Sequence, residues 1–142
     1  MIHSGIEAHG HYIMEECLGT FTPGLDTVLS RTVGNEFVGG VVYTAHTGRS
    51  CQMHQWGATP RWIDVDMLWA AFHYPFVQLD YDCVLGLVRA SHSHTLAVNA
   101  KYGFKEAARI KAVYPGDDLV ILQMFKHECR WLKLRPRSIV SG

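Results

Sequence analysis

The sequence predicts a mixed α/β domain built around one sheet, with helices covering its faces. Two strand-like runs flank Gly34-Asn35, and two more flank the turn segment Tyr114-Pro115-Gly116-Asp117-Asp118, so each end of the chain holds a hairpin. Between them lie two helical patterns separated by a short apolar run.

Residues 8 to 19 place Ile13, Met14, Cys17 and Leu18 on one side of a short amphipathic helix, with Glu15 and Glu16 opposite and Gly19 closing it. Thr20 to Asp26 contains Pro23-Gly24 and reads as a connection. Thr27 to Val33 is rich in β-branched residues, and Glu36 to Ala45 is mostly apolar, which gives the first hairpin. Gly39-Gly40 inside its second strand marks a bulge or a close backbone approach. After the turn Thr47-Gly48-Arg49, Ser50 to Trp56 is a third antiparallel strand. Thr59 then caps a helix that carries Pro60 in its first turn. Ile63 to Phe76 is apolar on most faces, as in a helix buried on more than one side, and Pro75 makes its last turn irregular. Asp82 to Arg89 suits a central strand. Ser91 to Phe104 is a helix stopped by Gly103, with Phe104 folding back onto it. Ala107 to Val113 and Leu119 to Phe125 form the closing hairpin.

A chain of 142 residues is one domain on length alone. With 48% hydrophobic and 18% charged residues it has the composition of a folded protein rather than a disordered one. A formal net charge of zero supplies no field for nucleic acid, so no nucleic-acid partner is expected. Basic residues collect at the C-terminus as Lys126, Arg130, Lys133, Arg135 and Arg137, a solvated end, with residues 132 to 142 expected to be flexible. Cys17, Cys51, Cys83 and Cys129 are far apart and form no C-x-x-C pair, as expected of reduced, mostly buried thiols in a cytoplasmic protein. No signal peptide and no run of about 18 apolar residues is present, so no membrane association is expected. The H-x-H pairs His9/His11 and His92/His94 lack a third ligand at a known spacing, and no metal is expected.

The order of elements, together with Tyr74-Pro75-Phe76-Val77-Gln78-Leu79 before a strand and Lys101-Tyr102-Gly103-Phe104 after the next helix, resembles the GCN5-related N-acetyltransferase superfamily. The resemblance covers residues 27 to 131 and is best from Trp62 to Phe104. It looks closest to the ribosomal-protein N-acetylase branch and to short phage-encoded acetyltransferase-like proteins, whose ending is similar to Glu128-Cys129-Arg130-Trp131. It implies a mixed, mostly antiparallel sheet flanked by helices. It also implies acetyl-CoA as cosubstrate, with direct attack by a primary amine on the thioester.

In that family the pantetheine arm inserts between two diverging strands, which correspond here to Ser50 to Trp56 and Asp82 to Arg89. Backbone near His54, Gln55 and Trp56 would bond the arm, and Gly57, Ala58, Thr59, Arg61 and Trp62 would form the pyrophosphate loop ahead of a helix N-terminus. The family's Q/R-x-x-G-x-G/A pattern is absent: Thr59, Trp62 and Asp64 occupy its defined positions. Trp62 crowds the loop, Asp64 and Asp66 would repel a pyrophosphate, and Arg61 is the nearby cation. Asn99 stands where the family has its acid tyrosine, with Tyr102 one turn on as the alternative proton donor. His92 stands at the family's asparagine and is a candidate acid, base or cofactor contact, although helix capping also suits it. For the base, His54 comes first and His46 second.

A second functional class stays open. A degenerate phosphate loop fits an acetyltransferase-like module that acts through protein–protein contacts, with Trp56, Trp62 and Trp131 as candidate surface aromatics. For an enzyme, the acceptor is an amine on a small molecule or a protein, and the short N-terminus allows a homodimer to wall the cleft.

Overall fold

The computed structural model describes residues 1–136. Strand β1 (Ile2–Ser4) precedes helix α1 (Glu7–Glu16), the meander β2 (Thr27–Val33), β3 (Glu36–Thr44) and β4 (Ser50–Gly57), and helix α2 (Val65–His73). Strand β5 (Cys83–Arg89), helix α3 (Ser93–Tyr102) and the hairpin β6 (Lys105–Tyr114) and β7 (Asp117–Phe125) complete the domain. The seven strands form one sheet in the order β1-β2-β3-β4-β5-β7-β6. Every pairing is antiparallel except β4 with β5.

Alternation along β3 divides the core. Val42 turns to one face and packs with Ile13 and Met14 of α1, whereas Val41 and Tyr43 turn to the other and pack with Met67, Ala71 and Phe72 of α2. Tyr43, fully buried, donates its hydroxyl to the Ala71 carbonyl at 2.6 Å, which ties the sheet to α2 without leaving a buried polar atom unpaired. Burial pushes its phenol well above the ordinary value.

The expected glycine effects have specific causes. Val38 is the extra residue of a bulge, since Arg31 pairs with Gly39 and Thr32 with Phe37. A Cβ on Gly40 would lie 2.4 Å from the Leu29 carbonyl oxygen, and one on Gly39 would lie 2.7 Å from the Trp56 oxygen and 2.8 Å from the Trp62 Cβ. Gly57 is tighter still, because a Cβ there would fall 1.8 Å from Trp62 Cδ1. The two glycines are the cradle of the Trp62 ring.

Several expectations are corrected. β1 was not anticipated. The helix expected to run from Thr59 through Phe76 is three pieces: a 3-10 turn at Pro60–Trp62 capped by Thr59, an extended Ile63, and α2, which begins at Asp64 as N-cap and passes into a π-helical turn at Tyr74–Gln78 that holds Pro75. Burying the Trp62 ring against Gly39 and Gly57 draws the chain inward and forces the break at Ile63. At the end of α1 the left-handed residue is Leu18 (φ 60°), one before Gly19. Gly19 instead makes room for the Met14 methyl, which would lie 2.7 Å from a Cβ. The basic residues ahead of position 132 make contacts of their own. Lys126 pairs with Asp80 at 3.0 Å, Arg130 lies 4.1 Å over the Trp131 ring, and Trp131 donates to the Tyr102 carbonyl at 2.8 Å. Leu132 packs against the core, and Arg137 lies outside the described residues. All four cysteines are free thiols, with Cys51 and Cys129 buried and Cys17 exposed.

At the sheet's far edge, β6 is exposed along nearly its whole length. Its register with β7 breaks twice, around Ala107 and again before Tyr114, where Ala112 takes a φ of 57°.

Gly57→Ala is expected to cost about 2–3 kcal/mol, the range of an overpacked core. At roughly 2–4 °C per kcal/mol for a chain of this size, thermal unfolding monitored by circular dichroism should show the melting point falling by roughly 4–12 °C.

Candidate functional site

Strands β4 and β5 share a ladder at only three pairs, Ser50 with Cys83, Cys51 with Val84 and Gln52 with Leu85. Past these they part, while β5 stays laddered to β7 as far as Arg89 and β4 to β3 as far as Gly57. A cleft open to solvent occupies the gap. Because the gap passes through the sheet, residues of both faces border it. His54 pairs in register with Val42 and so points to the α1 side, where Cys17 and Leu87 also border the cleft. Ala71, Phe72 and Phe104 form an apolar wall on the opposite side, joined by Thr95, Asn99 and Tyr102 from α3. Asp, Glu, Lys and Arg are absent among the described residues that line the cleft.

Within it, His54 Nε2 lies 2.8 Å from the Thr44 hydroxyl. Burial lowers the His54 pKa, and the Asp26 carboxylate partly opposes that, so the imidazole is neutral at pH 7. The Gln55 amide donates across the gap to Asn99 Oδ1 at 3.4 Å, and the Asn99 amide donates to the Thr95 carbonyl at 2.9 Å. Tyr102 presents a hydroxyl with no hydrogen-bond partner among the described residues, and burial raises its pKa, which keeps it a proton donor. The Cys17 thiol donates to the Gln55 carbonyl at 3.4 Å; although the residue is exposed overall, desolvation of its sulfur against the cleft wall, together with Glu16, raises its pKa, so it is a thiol rather than a thiolate.

The Trp56 side chain packs with Tyr12 and Phe37 under α1, with ring centroids 4.8 and 5.5 Å away, so the expectation for this residue rests on its backbone alone. Other anticipated side chains lie outside the cleft. His92 occupies the N-cap position of α3, exposed and without a side-chain cap bond, because the α3 N-terminus lies beside the β6–β7 hairpin, where Ser91 bonds Asp117. His46 sits at the opposite, laddered end of β4, with Nδ1 2.7 Å from the Tyr81 hydroxyl, outside the cleft. Neither His9 nor His11 lies on a strand: both are on α1, where His9 stacks on Phe37 and bonds Ser30 at 2.7 Å. Among the described residues, no three His, Cys, Asp or Glu side chains gather as a metal site, and no helix is long and apolar enough to cross a membrane.

The loop from Gly57 to Asp64 differs from its expectation. Trp62 does not crowd a surface, since its ring is turned into the core and is 7% exposed. The Ala58 N–H bonds the Val38 carbonyl at 2.8 Å, the Arg61 N–H the Thr59 hydroxyl at 3.3 Å and the Trp62 N–H the Thr59 carbonyl at 3.1 Å. Asp64 accepts the Met67 N–H at 2.9 Å and forms an ion pair with Arg31 of β2. Burial works to raise the Asp64 pKa, but the Arg31 guanidinium and the Met67 N–H hold the carboxyl below its ordinary value. Arg61, exposed, is thus not the sole cation near the loop. Sequence reasoning passed over both Arg31 and Cys17, whose contacts reach across 33 and 38 residues.

No protein-family model and no curated protein matches the chain. Solved structures do. A spermidine N-acetyltransferase chimera from Vibrio cholerae and hSSAT superposes with a TM-score of 0.72 at 10% identity, over 94% of this chain and 99% of that one. A mutant of the Vibrio cholerae spermidine N-acetyltransferase gives 0.71 at 10% identity, over 94% and 96%. A probable acetyltransferase gives 0.59 at 18% identity, over 74% of this chain and 64% of the other. At such identities the likeness is one of architecture, and the chain has the fold of the GCN5-related N-acetyltransferases.

Proposed function

We propose that the protein transfers an acetyl group from a pantetheine thioester, acetyl-CoA being the common one, to a primary amine by direct attack. The observation that carries this reading is the cleft between β4 and β5, open through the sheet and bordered by His54 on one side and Asn99 and Tyr102 on the other. An arm carrying amide groups suits a gap flanked by strand backbone and by the Gln55 and Asn99 side chains. An amine arriving from the α1 side meets neutral His54, a base of suitable strength. Tyr102 supplies the proton for the departing thiolate. Asn99, at the position of the family's acid, orients the arm instead. Two of the three matched structures are named for spermidine, which makes polyamines one acceptor class beside other small-molecule or protein amines. A dodecameric spermidine N-acetyltransferase among the similar structures (TM-score 0.62, 12% identity, 73% of this chain and 67% of that one) is consistent with assembly in this family, and a homodimer of this chain is part of the proposal.

Incubation with acetyl-CoA and a panel of amines, read by thiol release and mass spectrometry, is expected to yield an acetylated amine. The absence of both turnover and thermal stabilisation at millimolar thioester would sink the enzyme and leave the non-catalytic binding module. Tyr102→Phe should lower kcat by about 10²-fold with KM little changed, since a general acid acts in the transition state.

His54 has a folded pKa below 6.5 and works as the neutral base. Activity should therefore be full at neutral pH and fall only on acidification below about 6.5, as the imidazole takes up a proton. A kcat/KM profile that keeps this acid limb in His54→Gln would remove His54 from the role.

A further inference from the structure

We infer that the cleft reads its donor through the pantetheine arm and leaves the nucleotide unread, so that the donor class is acyl-pantetheine thioesters in general rather than acyl-CoA in particular. This rests on the acyl-transfer reading above.

A pyrophosphate at the start of α2 would need free N–H groups and the positive end of the helix. Both are taken. Asp64 accepts the Met67 N–H at 2.9 Å and places its carboxylate at the helix N-terminus, with Asp66 in the first turn beside it. Of the two guanidiniums near the loop, Arg31 is paired to Asp64 and 18% exposed, which leaves the exposed Arg61 to set against the carboxylates of Asp64 and Asp66. The loop amides of Ala58, Arg61 and Trp62 already have acceptors within the chain. Trp62 fixes this arrangement, because its ring fills the space over Gly39 and Gly57 and holds the loop backbone drawn in toward the core. The carboxylates of Asp64 and Asp66 thus stand at the helix start that a pyrophosphate would use, and like charges at close range repel.

The arm's half of the site is intact by contrast. Beyond Gln52 and Leu85 the strands share no ladder, so backbone groups that each turns toward the other face the cleft. Gln55, Thr95 and Asn99 add side-chain partners for amides, and Phe72 and Phe104 an apolar floor. A ligand that ends before its pyrophosphate keeps all of these contacts and meets no repulsion.

The experiment compares S-acetylpantetheine with acetyl-CoA on the full chain, by calorimetric Kd and by acetyl transfer to the amine panel. Values of Kd and kcat/KM within tenfold of each other are expected, with adenosine 3′,5′-bisphosphate failing to compete. Acetyl-CoA favoured by more than tenfold, or competition by the bisphosphate, would overturn the inference and leave the acyl-transfer reading standing. If neither thioester binds or reacts, the acyl-transfer reading itself falls and this inference with it. In Asp64→Asn, the amide keeps the helix cap but removes the charge and releases Arg31. That variant should shift the donor ratio toward acetyl-CoA by fivefold or more. An unchanged ratio in folded Asp64→Asn protein would overturn the part assigned to Asp64.

Discussion

The parallel contact of β4 with β5 is the constraint on which the rest depends. Parallel pairing needs a crossover, here supplied by α2, and the ladder ends after three pairs. Each strand has a stronger commitment elsewhere. β4 is held to β3 from Gln52 to Gly57, and β5 to β7 along seven pairs. The sheet therefore parts at its weakest seam, and α2 and α3 cover one side of the opening with side chains that floor it. The cleft is a product of sheet geometry rather than of any one side chain.

The position of Trp62 follows from the same geometry. The chain leaving β4 must cross over the sheet to begin α2, and it does so with the indole buried on Gly39 and Gly57. A residue with a β-carbon at either position would push the ring out, so the two glycines and the tryptophan form one packing unit. That unit also determines how the loop amides are used, by turning them back onto Val38 and Thr59. Local packing and the electrostatics of the helix start are thus set together.

Much of this was legible in the sequence because it depends on local signals. Gly34-Asn35 and Pro115-Gly116 mark the hairpins, and Gly103 ends α3 in the left-handed conformation expected of it (φ 108°). His54, Gln55, Asn99 and Tyr102, named through the family resemblance, border the gap because strand and helix register carry them there. What escaped depends on distant contacts. β1 is three residues long, too short for a periodic signal, and exists because β2 offers it a partner. Arg31 resembles any arginine on a strand until Asp64 is brought beside it, and Cys17 any thiol at a helix end until the Gln55 carbonyl arrives. The break at Ile63 was invisible for the same reason, since the apolar pattern from 60 to 76 is continuous and the interruption comes from where one indole must go.

The outer strand β6 ends the sheet with a row of backbone groups facing water, the template on which sheets of different molecules fuse. Its two breaks in register bend that row out of line, and charged side chains stand along it, with Lys105 paired to Glu128 and Arg109 to Glu106. A second molecule trying to zip onto the edge would find few consecutive bonding positions and charged side chains to desolvate. The irregularity that makes β6 look like the least ordered strand of the sheet is therefore what keeps the protein from polymerising through its own edge.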